Sequence, residues 1–326
     1  MKAEIFDSLR QAGACAVGVA TAEPVPADVW RRFEGWLGAG REAGMRYMGN
    51  HGEIRRDPRL LLEGARSIVC IAFGYDRGEL RAPSMPEISY YALFPDYHDW
   101  MRALIRNSGA GELLGREGSD WRICVDSAPI LERYWAWRAG LGIIGDNGAL
   151  IVPRIGNRVI LAEIITTLDL QPDKPIDADC GHCGSCRNVC PTGALQPDGT
   201  IDCNRCLSYL TIEHRGEWTE PAHREAVSTA AGRHTLFGCD RCMAACPHNR
   251  HANKQGNRYS GQDADHCVST PEPLPQIVNL TPQQILDSNP ETISRLLKGT
   301  CLKRAKPADL RRNALNIEYH NLMLSD

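Results

Sequence analysis

Cys180-Gly-His-Cys183-Gly-Ser-Cys186-Arg-Asn-Val-Cys190-Pro191 is the stretch on which the reading of this chain turns. Three cysteines at two-residue gaps wrap one iron–sulfur cluster, and a fourth, just before proline, points to a neighbouring one. A second run, Cys239-x2-Cys242-x3-Cys246-Pro247, follows downstream. Structural zinc sites use cysteine pairs without a third in register and without Cys-Pro. The spacing therefore predicts two [4Fe–4S] clusters and electron-transfer chemistry.

Two such clusters need eight thiolates. The first run offers four and the second three, because Leu236 stands where a bacterial two-cluster ferredoxin would begin its second run. If the fourth cysteines cross over, one cluster takes Cys180, Cys183, Cys186 and Cys246. The other takes Cys190, Cys239, Cys242 and either Cys203 or Cys206. Cys15, Cys70 and Cys124 sit in apolar, strand-like context and read as small core residues.

The 326-residue chain is 43% hydrophobic with a net charge of −3, an ordinary balance for a globular protein. Net charge gives no global attraction to nucleic acid. No run of apolar residues is long enough for a membrane span. Glu4, Asp7 and Arg10 interrupt what could pass for a signal peptide. A cytoplasmic location is expected, where clustered cysteines mean metal or catalysis rather than disulfides.

Residues 1–170 read as an α/β domain. Ala14–Ala20, Ser67–Phe73, Trp121–Val125 and Arg158–Leu161 are the expected strands, with helices over Pro26–Leu37 and Ile130–Ala139. A polar linker at 172–179 leads into a ferredoxin-like double-cluster domain over 171–260. Residues 251–275 have loop composition. A short helical segment fills 261–326, with helix starts at Thr281-Pro282 and Asn289-Pro290.

Two clusters alone make a wire, and the upstream domain suggests a reaction centre. Asp126 ends an expected strand. A carboxyl partly shielded from water has a raised pKa and can donate a proton near neutrality. Capping of the following helix is the competing reading. Gly140–Gly148 is glycine-rich but lacks dinucleotide or P-loop spacing. Asp96-x-His98 matches only the start of a corrinoid D-x-H-x-x-G signature, since Met101 takes the glycine position. His98 is read as a hydrogen-bonding or packing residue.

Taken together, these segments resemble epoxyqueuosine reductases. The likeness runs through Arg55–Pro58, Tyr90–Ala92 with Asp96–His98, Val125–Arg133, Gly140–Asn147, Cys180–Thr192, Cys206–Glu213, Gly238–Asn249, and Lys298–Lys306 with Arg311–Asn313. It implies a cobalamin in the N-terminal domain, two [4Fe–4S] clusters beside it, and epoxyqueuosine in a tRNA anticodon stem-loop as substrate. It also implies Cys206 as the eighth ligand and Asp126 as proton donor. Arg56, Asn147, Leu150, Tyr209, Thr211 and Glu213 would line the corrin. Ile143, Asp146 and His248 depart from the family's usual Trp, Lys and Trp, and Pro95 precedes Asp96. A monomer fed by an external electron donor, with no membrane contact, is expected.

Between Lys298 and Arg312, six basic residues face Asp309 alone, a local charge of +5. Such a segment can hold RNA phosphates or be a solvated helix face. Two other functions are compatible with the cysteines. One is a reductive dehalogenase-like enzyme acting on a small molecule, and the other is a two-cluster electron carrier.

Overall fold

A computed structural model of the protein describes residues 1–249 and 270–323. Its frame is a four-stranded sheet, ordered β1-β2-β7-β4, with every neighbouring pair antiparallel. Here β1 is Ala16–Thr21, β2 Ser67–Gly74, β4 Trp121–Cys124 and β7 Val159–Thr166. Small sheets pair β3 (Glu87–Ile88) with β8 (Thr235–Phe237), and β5 (Ile143–Ile144) with β6 (Leu150–Ile151).

All eight residues of β2 are buried. Val69, Ile71 and Phe73 face helices Lys2–Gln11, Tyr97–Asn107 and Ala110–Leu114. Ile68, Cys70 and Ala72 face the opposite way, against Tyr134, Trp135 and Ala136. Coverage on both faces explains why this strand reads as a continuous apolar run rather than an alternating one. Each fully buried isoleucine there contributes about 1.5–3 kcal/mol. Gly18 lets the end of helix Glu132–Arg138 press on β1, since a Cβ there would lie 2.1 Å from the Ala139 carbonyl oxygen.

The mixed α/β character holds. The expected strands appear within a few residues of their bounds, and β7 runs on to Thr166. Cys70 and Cys124 are buried in the core. Thr281 and Asn289 cap helices Pro282–Asp287 and Pro290–Leu297 as their sequence signals predict. Most of the expected 251–275 loop, and the 260/261 boundary, lie outside the described residues.

A third core joins the C-terminal helices to the Tyr90–Phe94 turn and to β8, through Phe94, Leu236, Phe237, Leu302 and Leu310. From the last helix, Lys306–Met323, the Asn313 amide donates to the carbonyls of Thr211 (2.8 Å) and Leu236 (3.0 Å). This ties the helix to the Cys206–Glu213 segment and to the strand preceding Cys239. Among the described residues, no helix is long and apolar enough to cross a membrane.

Candidate active site and cluster-binding cysteines

Cys180, Cys183, Cys186 and Cys246 line one cavity of about 300 Å³, with Asn147, Ile151 and His248. The crossover inferred from spacing is thus present as a gathered set. His248 reaches the Cys180 carbonyl at 3.2 Å. Asp146 takes His182 at 2.7 Å and Arg187 at 3.5 Å, so the departure from lysine is matched by two local basic partners.

The second set is Cys190, Cys206, Cys239 and Cys242. Burial is the first cause that raises the Cys206 thiol's pKa, and nearby Cys190 adds to it. Cys242 is pushed up to about 12 by burial, then by Cys206 and Cys190. Cys203 is buried with Leu207 and Leu210 in an apolar cluster, against whose edge Cys206 and Cys239 pack. Leu236 is fully buried in β8 and cannot serve as a ligand. Four soft thiol donors per set fit the chemistry of [4Fe–4S] clusters. Asn147 joins the sets, donating to the Cys242 carbonyl at 3.2 Å while lining the first cavity.

Asp126 follows β4 in a left-handed conformation, φ 53°. It does not cap the next helix, which starts at Glu132 without a side-chain cap. The Tyr97 hydroxyl instead donates to Asp126 Oδ2 at 2.8 Å, and His98 Nε2 lies 3.2 Å from the same oxygen. His98 Nδ1 meets Asp96 Oδ1 at 2.7 Å, and Lys303 pairs with Asp96 Oδ2 at 2.6 Å. The Tyr97 and His98 rings stack with centroids 4.2 Å apart. Spacing marked His98 as a hydrogen-bonding residue, and it is one.

The expectation of a raised Asp126 pKa is corrected. Desolvation pushes it up, but the hydrogen bonds from His98 and Tyr97 outweigh this and hold it below the ordinary carboxylate value. Desolvation opposes charge on His98, yet Asp126 and Asp96 raise it to about 9. The proton at neutral pH therefore sits on His98, in contact with Asp126. Its neighbour Glu132 has a raised pKa, lifted to about 7 first by burial and then by Asp126.

The Asp126 side chain is 56% accessible although its ionisation responds to desolvation. Arg55 Nε and Glu42 Oε2 are buried without hydrogen-bond partners among the described residues. Such unpaired polar atoms fit a large polar-edged cofactor.

The other expected corrin residues are dispersed around this region. Arg56 is exposed and Leu150 is buried in the core. Tyr209 accepts from the Gly44 backbone at 2.8 Å, and Thr211 accepts from Gly238 at 2.8 Å. Glu213 takes both arms of Arg304 at 2.8 Å. The basic segment is largely engaged within the fold. Besides Lys303 and Arg304, Arg311 donates to the Leu286 carbonyl at 2.8 Å. Arg312 is buried over Trp218 and donates to the Leu210 and Gly216 carbonyls, so it is not available to phosphate. Lys298 and Lys306 remain exposed.

Glu132, which accepts the Asp126 backbone N–H, was missed as a site residue.

Two family models match: a 4Fe-4S double cluster binding domain over residues 179–249, and epoxyqueuosine reductase QueG (DUF1730) over residues 55–127. An epoxyqueuosine reductase of Gloeobacter violaceus is 36% identical, over 96% of this chain and 94% of that protein. The Escherichia coli epoxyqueuosine reductase is 32% identical, over 76% of this chain and 64% of its own length. The epoxyqueuosine reductase structure from Streptococcus thermophilus superposes with a TM-score of 0.80 at 25% identity, covering 97% of this chain and 80% of that one. Another, solved with an epoxyqueuosine-modified tRNA-Tyr stem loop, gives 0.79 at 27% identity, covering 98% and 81%. The likeness extends across both cysteine sets and the Asp126 turn, and the chain belongs to the epoxyqueuosine reductase family.

Proposed function

We propose that this protein reduces epoxyqueuosine to queuosine in the anticodon stem-loop of tRNA, in the cytoplasm, with Asp126 as proton donor. The observation that carries this reading is the Asp126 carboxylate. It is exposed and held by Tyr97 and His98, in a fold shared with a relative solved on an epoxyqueuosine-modified stem loop.

The eight cysteines would hold two [4Fe–4S] clusters, which would supply single-electron transfer from an external donor. Cobalamin, when bound, supplies a low-valent cobalt centre able to pass electrons to carbon. Arg56 and Glu213 would meet its edge, with Leu150 and Tyr209 behind that surface. Asn147 steadies the second cysteine set through the Cys242 carbonyl, and Thr211 through the Gly238 backbone.

The chain's own acid–base groups handle the oxygen. Opening the epoxide to an alkene needs two electrons and two protons, with oxygen leaving as water. Asp126 delivers a proton to that oxygen and avoids a free alkoxide. His98 is the adjacent cation from which Asp126 takes it. Tyr97 fixes the carboxylate's orientation. Lys298 and Lys306 offer charge to the RNA backbone. The protein acts as a monomer.

The test is anaerobic reconstitution with iron, sulfide and cobalamin, followed by assay on epoxyqueuosine-containing tRNA with a strong reductant. Queuosine formation is expected. Clusters and corrinoid uptake without turnover of that tRNA would overturn the substrate assignment.

A further inference from the structure

Tyr47 is a large side chain left open beside groups that the chemistry above already uses. It lies in the short 3-10 turn Arg46–Met48 and is 42% accessible. A single exposed tyrosine is ordinary on its own. This one is held in place from two directions.

The loop leading to it is fixed to helix Leu207–Ile212 and the turn before that helix. The Gly44 N–H donates to the Tyr209 hydroxyl at 2.8 Å, and the Cys203 N–H donates to the Arg41 carbonyl at 2.8 Å. Position 44 has no room for a side chain, because a Cβ there would lie 2.6 Å from the Tyr209 hydroxyl oxygen. Glu213 follows Tyr209 by one helical turn and grips Arg304 with both oxygens at 2.8 Å. The Arg304 guanidinium in turn lies over the Tyr47 ring, 5.3 Å from its centre. With Glu213 paired to it, the guanidinium braces the ring and is not a free charge.

The same C-terminal turn reaches the acid–base site. Lys303, the residue before Arg304, pairs with Asp96, which holds His98 against Asp126. Burial first, and then the charges of Glu213 and Asp126, lift the Tyr47 hydroxyl to about 12, so the ring is neutral at neutral pH. The two segments that meet here are basic at the surface, where Arg46, Lys303, Arg304 and Lys306 are all exposed. An open aromatic ring among basic side chains suits a single strand of nucleic acid. The charges take the backbone, and the ring takes a base.

We infer that Tyr47, braced by Arg304, is a stacking platform for an unpaired base of the RNA substrate beside the Asp126 site. Every base has a π face, so the contact positions the loop without reading its sequence. Tyr47 is therefore a binding residue and takes no part in proton or electron transfer. The inference rests on RNA being the substrate.

The test uses protein loaded with clusters and corrinoid. It measures binding of an unmodified anticodon stem-loop by fluorescence anisotropy, and turnover of epoxyqueuosine-containing tRNA. Tyr47→Ala should weaken stem-loop binding roughly tenfold, and the loss should appear in KM rather than kcat. Tyr47→Phe keeps the ring and should recover the affinity. The salt dependence of binding should keep its wild-type slope in Tyr47→Ala, because stacking releases no counterions. Iron and corrinoid content should not change. Unchanged RNA affinity in Tyr47→Ala overturns the inference while leaving the substrate reading intact. Loss of corrinoid from Tyr47→Ala also overturns it, by assigning the ring to the cofactor. Wild-type protein that neither binds the stem-loop nor turns over the tRNA would overturn the RNA reading itself, and the platform with it.

Discussion

The cysteine sets and the Asp126 site solve the same problem, fixing reactive groups, by different means. The first set draws three of its four thiols from one seven-residue loop. The acid–base site brings Asp96, Tyr97 and His98 at one helix start to Asp126 after β4, Glu132 on the next helix and Lys303 near the C-terminus. Local loops tolerate error elsewhere in the fold, because the metal itself enforces the geometry. A site assembled across the sheet depends on packing and on paired charges.

That contrast can be tested, most severely at Cys206, the member of the second cysteine set that lies outside both cysteine runs. Cys206→Ala should reduce iron from roughly eight to roughly four atoms per chain and abolish turnover, whereas Cys203→Ala should keep all of it. Iron analysis and electron paramagnetic resonance read this directly, and equal losses in both variants would refute the ligand assignment. At the acid–base site, Asp126→Asn should retain both cofactors and lose about 10²- to 10⁴-fold in rate.

Stability effects should be smaller. Arg312→Ala leaves the Leu210 and Gly216 carbonyls without their buried donor and should cost about 3 kcal/mol. Thermal melting would show it, and an unchanged melting temperature would mean that the contact carries no weight. His98 has a folded-state pKa raised to about 9. Its stabilisation is therefore complete below the ordinary histidine value of about 6.5 and is lost as pH rises through about 9. Denaturation of wild type and His98→Gln should converge above that range, and a constant gap would count against the ion pairs. Lys303→Ala removes an exposed partner of Asp96 and should change stability by less than about 1 kcal/mol.

The cysteine region was legible because ligand spacing is a local property of sequence. The missing ligand at Leu236 was legible for the same reason, but spacing alone left Cys203 and Cys206 as equal candidates. Their separation is tertiary: Cys203 is buried inside an apolar cluster, while Cys206 lies at its edge within reach of Cys190 and Cys242. Asp126 was found, yet the sign of its pKa shift was not, because that sign depends on Tyr97 and His98 arriving from 28 to 29 residues away. The basic segment read as a phosphate-binding surface because charge counts do not show which guanidinium is buried over a tryptophan.

Asn313 has a consequence in time as well as in space. It holds the segments carrying Cys206 and Cys239 from the last helix, which follows both cysteine runs in the sequence. During synthesis, the loop of the first cysteine set is complete long before that clamp emerges from the ribosome. The two clusters should therefore mature in order, with the second finished only after translation has passed the last helix.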